Sequence, residues 1–463
     1  MVRKPHCPDV LERRSGRGTG LWLDSARTQV TAVSLPQAGA LALVVGGVRS
    51  GLSLARFLTG RGMRVRVCDL RPAEALGEFA RSLPAEVETV FGGYDESVLD
   101  GCEAVYASPG VPWRAALLEA ARARGLIVSS DIDLFFQLSP APIIGITGTN
   151  GKTTTTALLG AVLAQGERPV LVGGNIGRTV LEQLDQLSAD HWVVLELSSF
   201  QLESCSAPKP KIGVVLNLTP DHLDRHGSLA AYVEAKARLL SFQDEADAAA
   251  LNGLDPLCRD LAGRTRAQVH WFDRHEPVPP SSLPGAHNRL NVLAAACAAR
   301  LAGLTDSQIA AGVRAFPGVE HRLELVGEWH GVRWYNDSKA TNPDAGLVAL
   351  QAFPGTPLVL VAGGYGGGFE LDSWLAAVRA RTQAVVLLGA SAAELSERLA
   401  GHPQSRVDSL AEAVQAAAEL AGPGSSVLFS PAYKSFDMFS DFEDRGRRFK
   451  AAVKALHGEE ARV

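Results

Sequence analysis

Short apolar runs, each closed by glycine or a polar cluster and followed by a helix-like stretch, recur along this chain and leave few folds open to it. Leu41-Ala-Leu-Val-Val45 ends in Gly46-Gly47, continues into a helical pattern (Leu52, Leu54, Ala55, Leu58), then reaches Val65-Arg-Val67 and Asp69. The alternation returns at 143–147, 193–197, 212–218, 358–363, 385–389 and 427–430. Continuous apolar runs suit strands buried on both faces, and parallel sheets require helices to cover those faces. Two joints interrupt the pattern. Ser139-Pro-Ala-Pro142 precedes a strong new strand, and Phe316-Pro317-Gly318 separates an Ala-rich helix (291–304) from a strand system starting at Leu323. The spacing therefore predicts three α/β domains, at 39–130, 131–318 and 319–463. Residues 1–38, rich in Arg, Gly, Ser and Thr, read as a disordered extension or as the product of a start codon placed too far upstream.

Charge and composition remove several classes of function. Lys and Arg total 45 against 50 Asp and Glu, a formal charge of −5, which argues against a non-specific nucleic-acid binder. No apolar run approaches the ~18 residues of a membrane helix. The basic N-terminus (Arg3, Lys4, Arg13, Arg14) has no apolar core behind it, unlike a secretory signal. Six cysteines (Cys7, Cys68, Cys102, Cys205, Cys258, Cys297) show no paired spacing, as expected of buried thiols in a reducing cytoplasm.

The strongest local signal is Gly145-Ile-Thr-Gly148-Thr149-Asn150-Gly151-Lys152-Thr153-Thr154, after an apolar strand and opening a helix (Ala157, Leu158, Leu159, Val162). Glycines let successive N–H groups curl around phosphate oxygens at a helix N-terminus, Lys152 can reach the outer phosphates, and the Thr153 hydroxyl can ligate Mg²⁺. Ile146 stands where the strict phosphate-loop pattern has its first glycine. An ordinary glycine turn with an exposed lysine is the competing reading, but strand, loop, Lys-Thr and helix coincide, so ATP is the expected ligand. Glu196 lies in an apolar strand, where a carboxylate is costly unless paired or metal-bound. Asn217-Leu-Thr-Pro-Asp221-His222-Leu-Asp224-Arg225-His226 follows another buried run and suits a cation beside phosphates, as would a polar loop with no ligand at all. Asn336-Asp337-Ser338-Lys339-Ala-Thr341-Asn342 and Ser430-Pro-Ala-Tyr-Lys434-Ser435-Phe436-Asp437 also follow strands. Open α/β sheets bind ligands at the carboxyl ends of their strands, where these loops fall.

Taken together, these motifs resemble the Mur ligases of peptidoglycan synthesis, from about Leu41 to the C-terminus. The pieces that carry the resemblance are Gly148–Thr153, Gly173-Gly-Asn-Ile-Gly177, the run 195–202, His321-Arg322, 336–342, and Ser430-Pro-Ala followed by Ser435. The runs 196–202 and 336–342 favour the D-glutamate-adding member. The resemblance implies a Rossmann-like N-terminal domain for a UDP-sugar, a central P-loop ATPase domain with a mainly parallel sheet, and a Rossmann-like C-terminal α/β domain that closes over the site. It implies that ATP activates the L-alanyl carboxylate of UDP-N-acetylmuramoyl-L-alanine as an acyl phosphate, which the D-glutamate amine attacks. By resemblance Gly148, Thr149, Asn150, Gly151, Lys152, Thr153, Thr154, Asn288, Arg322, Asp337 and Lys339 would hold ATP. Thr153, Glu196, His222 and Lys236 would serve two Mg²⁺ ions, Lys236 as a carbamate. Lys152, His222, Lys236 and Asn175 would be catalytic, with Asn175 and His222 near the acyl group. Arg49, Ser50, Asp69, Arg71, Ser108, Pro109 and Gly110 would bind the UDP-sugar, and Thr341, Lys434, Ser435 and Phe442 the D-glutamate.

Three departures stand out. Arg49 and Ser50 occupy the glycine-rich turn where Leu and Thr are commoner in the family. Gly363-Gly-Tyr-Gly-Gly-Gly368 lacks a basic residue often found in that loop, and Lys434 is assigned as its substitute. The family offers no role for residues 1–38. In Gly46-Gly-Val48-Arg-Ser-Gly51 the central glycine of a dinucleotide fingerprint is Val48, which weakens a dehydrogenase reading. A folylpolyglutamate-synthase-like enzyme would lack the separate domain spanning 41–130, and a P-loop ATPase that ligates nothing would need no amino-acid pocket. The cationic run Arg445–Lys450 reads as a solvated helix face, and Trp329, Trp334 and Tyr335 as sheet packing. A monomer is expected.

Overall fold

A computed structural model describes residues 35–47, 49–177, 179–273, 279–281 and 283–458. Residues 1–34 of the expected extension, with Cys7, and Val48 of the glycine turn lie outside the described residues. Three sheets follow one another along the chain. The first holds β1 (Leu41–Val45), β2 (Arg64–Asp69), β3 (Glu88–Phe91), β4 (Cys102–Ala107) and β5 (Ile127–Ser130), in the order β3-β2-β1-β4-β5. The second holds β6 (Ile143–Thr147), β7 (Val170–Gly174), β8 (Trp192–Glu196), β9 (Ile212–Val215), β10 (Ala248–Asn252) and β11 (Gln268–Phe272), in the order β11-β10-β9-β6-β8-β7. The third holds β12 (Glu324–Trp329), β13 (Val332–Asn336), β14 (Leu358–Ala362), β15 (Ala384–Leu387), β16 (Gln404–Arg406) and β17 (Ser426–Phe429), in the order β12-β13-β17-β14-β15-β16.

All pairings in the first two sheets are parallel, and in the third only β12 and β13 run antiparallel. Their hairpin turns at His330 and Gly331, both with positive φ, the backbone that a two-residue hairpin demands. Trp329, Trp334 and Tyr335 are buried on this ribbon, as expected of sheet packing. In each sheet the chain starts near the centre or doubles back, so neighbouring strands send their carboxyl-end loops in opposite directions. Crevices open at those reversals, between β1 and β4, β6 and β9, and β14 and β17.

Helices cover the faces. The Ala-rich helix runs from Ala286 to Leu301, earlier at both ends than its sequence pattern indicated, and packs beside the helix Lys152–Leu163 that follows β6. Small side chains such as Ala294, Ala295 and Ala298 let the two approach closely. Gly160 is held against the sheet, where an added Cβ would sit 2.4 Å from Val172. The five described cysteines are buried. Among the described residues no helix is long and apolar enough to cross a membrane.

The two joints between sheets differ. At the first, Ile132, Leu134 and Phe135 of the helix Asp131–Leu138 join Val180, Leu181 and Leu184 in one apolar cluster that runs from Val44 to Leu195. Arg61 and Asp185 pair across its rim at 2.5 Å. At the second, the clusters of the second and third sheets stay separate among the described residues, and a cavity lined by both polar and apolar side chains lies between them.

Candidate active site

The cavity measures about 560 Å³ and is walled by the carboxyl-end loops of the second sheet on one side and the third on the other. Thr149, Asn150, Gly151, Lys152, Thr153 and Thr154 line it, with Asn175, Glu196 and Asn288 from the same sheet. Arg322, Asp337 and Lys339 line it from the third.

The loop after β6 can take this shape only with glycines. Gly148 has φ +155°, and a Cβ there would sit 2.9 Å from Leu216; Gly151 has φ +82°, and a Cβ would sit 2.3 Å from the Asn291 side chain. Asn217 braces the loop, accepting the Asn150 N–H at 2.8 Å and donating to the Asn150 carbonyl at 3.0 Å. Lys152 donates to the Gly148 and Thr149 carbonyls, at 2.9 and 2.8 Å. Burial lowers its pKa, and Glu196 and Asp221 oppose that shift.

Lys236 is not the solvated helix lysine its local sequence would permit. It is fully buried on the helix Leu229–Ser241, donates to the Gly148 carbonyl at 2.8 Å, and lies 4.8 Å from the Tyr232 ring centre. Burial, reinforced by the neighbouring Lys152 charge, brings its pKa down to about 7. Two amines thus converge on one carbonyl oxygen beneath the phosphate loop.

Glu196 closes β8 with its carboxylate buried. Asn175 donates to Oε1 at 3.1 Å, while Oε2 has no partner among the described residues. A buried carboxylate oxygen left bare is costly, and a cation would satisfy it. Thr153 sits in the first turn of the helix over the loop, with its side chain half-buried. Among the described residues no three His, Cys, Asp or Glu side chains converge, so any cation here would be completed by other oxygens, such as those of phosphates. His222 has a left-handed backbone (φ 51°) and a half-exposed side chain 3.5 Å from Asp221, outside the residues lining the cavity.

On the third sheet, burial pushes the Asp337 carboxyl up to about 7, opposed by the Ser430 hydroxyl donating at 2.8 Å. Lys339 lies 3.7 Å from the Phe442 ring centre, and burial lowers its pKa. Arg322 is exposed. Thr341, Lys434, Ser435 and Phe442 are not among the residues lining the cavity; Thr341 follows β13, Lys434 and Ser435 follow β17, and Phe442 opens the last helix. Lys434 pairs its backbone with Tyr365 and leaves its side chain exposed, and Ser435 is buried.

The residues assigned to the UDP-sugar gather apart, at the crevice between β1 and β4. Asp69 accepts from Arg71 (2.8 and 3.0 Å) and from the Gly47 N–H, and the Arg71 bond holds its pKa down at about 2. The Ser108 hydroxyl donates to the Gly46 carbonyl at 2.9 Å. A Cβ on Gly51 would sit 2.2 Å from that carbonyl. Ser50 bonds the buried Asp131, opposing the burial that raises its pKa. Two arginines tie this crevice to the second sheet. Arg49 donates to the Gly177 carbonyl at 3.0 Å, and Arg225 to those of Pro109 and Val111 at 3.3 and 3.1 Å. Gly110 is exposed at the rim.

The structure adds residues that the sequence reading did not assign. Asn217 stood in a quoted motif without a role, and Asp221, read with His222 as suited to a cation, also bears on Lys152. Arg445 corrects an expectation. It is fully buried and faces inward from its helix, whereas Arg447 and Arg448 of the same run are exposed, so the run is solvated on one side only. Helical periodicity places Arg445 on the buried face with Phe449, four residues on.

Comparison with known proteins agrees with this architecture. Residues 40–130 match the family described as Mur ligase MurD-like, N-terminal domain, 146–278 the Mur ligase middle domain, and 321–433 the Mur ligase, glutamate ligase domain. The chain is 40% identical over 443 residues to the UDP-N-acetylmuramoylalanine--D-glutamate ligase of Pelotomaculum thermopropionicum, covering 89% of this chain and 97% of that one. It is 42% identical over 448 residues to the enzyme of that name from Symbiobacterium thermophilum, covering 90% and 98%. Among solved structures, a UDP-N-acetylmuramate-alanine ligase from Thermotoga maritima superposes with a TM-score of 0.56 at 19% identity, over 90% of this chain and 99% of that one, a likeness of fold.

Proposed function

The chain belongs to the Mur ligase family, and from that premise we propose that it joins D-glutamate to UDP-N-acetylmuramoyl-L-alanine with conversion of ATP to ADP and phosphate, a cytoplasmic step of peptidoglycan precursor synthesis. The observation that carries this reading is one cavity in which Lys152 and Glu196 of the second sheet face Arg322, Asp337 and Lys339 of the third.

The chemistry needs two anions brought together. An L-alanyl carboxylate oxygen attacks the γ-phosphorus, ADP leaves, and the D-glutamate nitrogen attacks the acyl carbon. The tetrahedral intermediate expels phosphate as the amide forms, and the amine sheds a proton. Positive charge and N–H donors around the transferring oxygens are the main requirement. The N–H groups of the phosphate loop and Lys152 meet it. A polyphosphate beside Lys152 restores the charge that burial weakens, and its oxygens replace the Gly148 and Thr149 carbonyls as acceptors. Asn288, Arg322, Asp337 and Lys339 take the nucleotide side, and Thr341, Lys434, Ser435 and Phe442 the amino acid.

The bare Oε2 of Glu196 fits Mg²⁺, with Thr153 and His222 as the further protein groups; bound there, the ion would offset phosphate charge. Lys236 fits a carbamate, because an amine with a pKa near 7 is substantially uncharged and can add CO₂. Asn175, held by Glu196, faces the acyl group. The chain acts as a monomer in this account.

Phosphate release from ATP and UDP-N-acetylmuramoyl-L-alanine tests the proposal when D-glutamate, L-glutamate, glycine or meso-diaminopimelate is added in turn. Release that depends on D-glutamate is the expected outcome. Release indifferent to the amino acid would leave an ATPase that ligates nothing.

A further inference from the structure

The guanidinium of Arg445 is a buried cation without a carboxylate partner. It begins the second turn of the helix Phe442–His457 and is 2% exposed, and among the described residues no Asp or Glu forms an ion pair with it. Its bonds go to neutral oxygens on two different loops. Nε donates to the Ser338 hydroxyl at 2.9 Å, one terminal nitrogen to the Ser338 carbonyl at 2.8 Å, and the other to the Tyr433 carbonyl at 2.9 Å. The Ser338 hydroxyl passes its own proton to the Phe442 carbonyl at 2.8 Å, which ties in the start of the helix. A third loop lies within reach, since a Cβ on Gly364 would meet an Arg445 nitrogen at 3.3 Å.

Those loops leave β13, β14 and β17, the strands around the crevice where the order of the third sheet reverses. Burying an unpaired charge is expensive, and three neutral acceptors compensate only part of that cost. The guanidinium thus lies under the crevice floor with no directly bonded counter-ion among the described residues, and the exposed ammonium of Lys434 is one residue beyond the Tyr433 carbonyl. Asp337 and Asp437 favour the Arg445 charge from farther off without pairing with it.

We propose that Arg445 is the positioning residue of the amino-acid pocket: it fixes the Ser338 and Tyr433 loops relative to each other, setting the spacing of Thr341 and Ser435, and its unneutralised charge selects a dicarboxylate acceptor. The proposal rests on the ligase reading above and deepens it by assigning the pocket a charge requirement. Arg445 itself touches no substrate. A guanidinium suits this place because its planar fork reaches three acceptors at once, which an ammonium cannot do with the same geometry.

The test compares Arg445→Lys, Arg445→Met and Ser338→Ala with the unaltered chain in three measurements. These are KM for each substrate, hydroxylamine trapping of the acyl phosphate without D-glutamate, and the rate with D-glutamate relative to D-glutamine. For Arg445→Met, KM for D-glutamate is expected to rise about tenfold or more, because a misplacement on the order of 1 Å has effects of that size or larger. KM for ATP and for the UDP-sugar, and the trapped acyl phosphate, are expected to stay unchanged. Preference for D-glutamate over D-glutamine falls in Arg445→Met and is partly kept in Arg445→Lys. Should Arg445→Met not fold, Ser338→Ala removes one acceptor and leaves the charge. It is expected to raise KM for D-glutamate alone, with the preference kept. A uniform rise in all three KM values, a loss of acyl phosphate, or an unchanged KM for D-glutamate would each overturn the proposal. Failure of the ligase reading would look different: the unaltered chain would release phosphate without regard to the amino acid.

Discussion

The joint between the first and second sheets and the joint between the second and third are built of opposite materials. The first is continuous apolar core: Phe135, Leu134 and Ile132 are buried against Val180, Leu181 and Leu184, and only its rim is polar. The second is a cavity in which Lys152, Glu196, Asp337 and Lys339 sit partly or wholly out of water, with shifted pKa values or a missing partner. Apolar burial fixes a distance and is non-directional. Unpaired buried polar groups destabilise the free protein and gain when a ligand of matching charge arrives. The first joint therefore holds the crevice between β1 and β4 at a set distance from the glycine loop after β6, through Arg49 and Arg225 as well as through the core. In the proposed reading the second is where ligands bind and where closure would exclude water from an acyl phosphate.

Changes at the two joints should separate into losses of activity and losses of stability. Lys152→Met at the cavity is expected to give the largest effect, a fall in phosphate release of about 10³-fold or more with the melting temperature little changed. Phe135→Ala at the first joint should do the reverse, costing about 3–5 kcal/mol in denaturant unfolding while KM for ATP holds. An intact stability would break the view that this joint is core. Glu196→Gln keeps the shape but removes the charge. A fall in kcat of about 10²-fold and a higher Mg²⁺ requirement are expected, and an unmoved Mg²⁺ titration would remove Glu196 from the cation site. The smallest effect is on pH. Lys236 has a pKa of about 7 against 10.5 ordinarily, so below pH 7 its amine is charged and cannot take up CO₂. Activity in CO₂-depleted buffer should be low, and added bicarbonate should restore it above pH 7 but progressively less as pH drops through 7. A profile indifferent to bicarbonate would count against the carbamate.

Much of this contrast was legible from residue order. The runs ending in Val45, Thr147, Glu196, Val215, Ala362, Leu387 and Phe429 are unbroken apolar strands, and their loops carry the site. Mixed-composition strands at sheet edges, such as Glu88–Phe91, Gln268–Phe272 and Gln404–Arg406, were passed over because one side meets solvent and the period blurs, and so were the interior strands Cys102–Ala107 and Ala248–Asn252. Lys152 and Glu196 could be placed because strand-end chemistry is local. The burial of Lys236 and Arg445 could not, because each depends on which helix face meets a sheet far off in sequence. Lys236 was reached only by resemblance, and Arg445 was misread as solvated because a run of cations masks a single inward position.

Hydrogen exchange with and without a non-hydrolysable ATP analogue, Mg²⁺ and UDP-N-acetylmuramoyl-L-alanine tests the contrast most directly. The account expects slow exchange at 132–138 and 192–196 in both states, with new protection confined to the glycine turns of the first crevice, 148–156, 217–226 and 336–342. Protection gained chiefly at 132–138, with the loops around the cavity unchanged, would contradict it and make the first joint the one that responds to ligands.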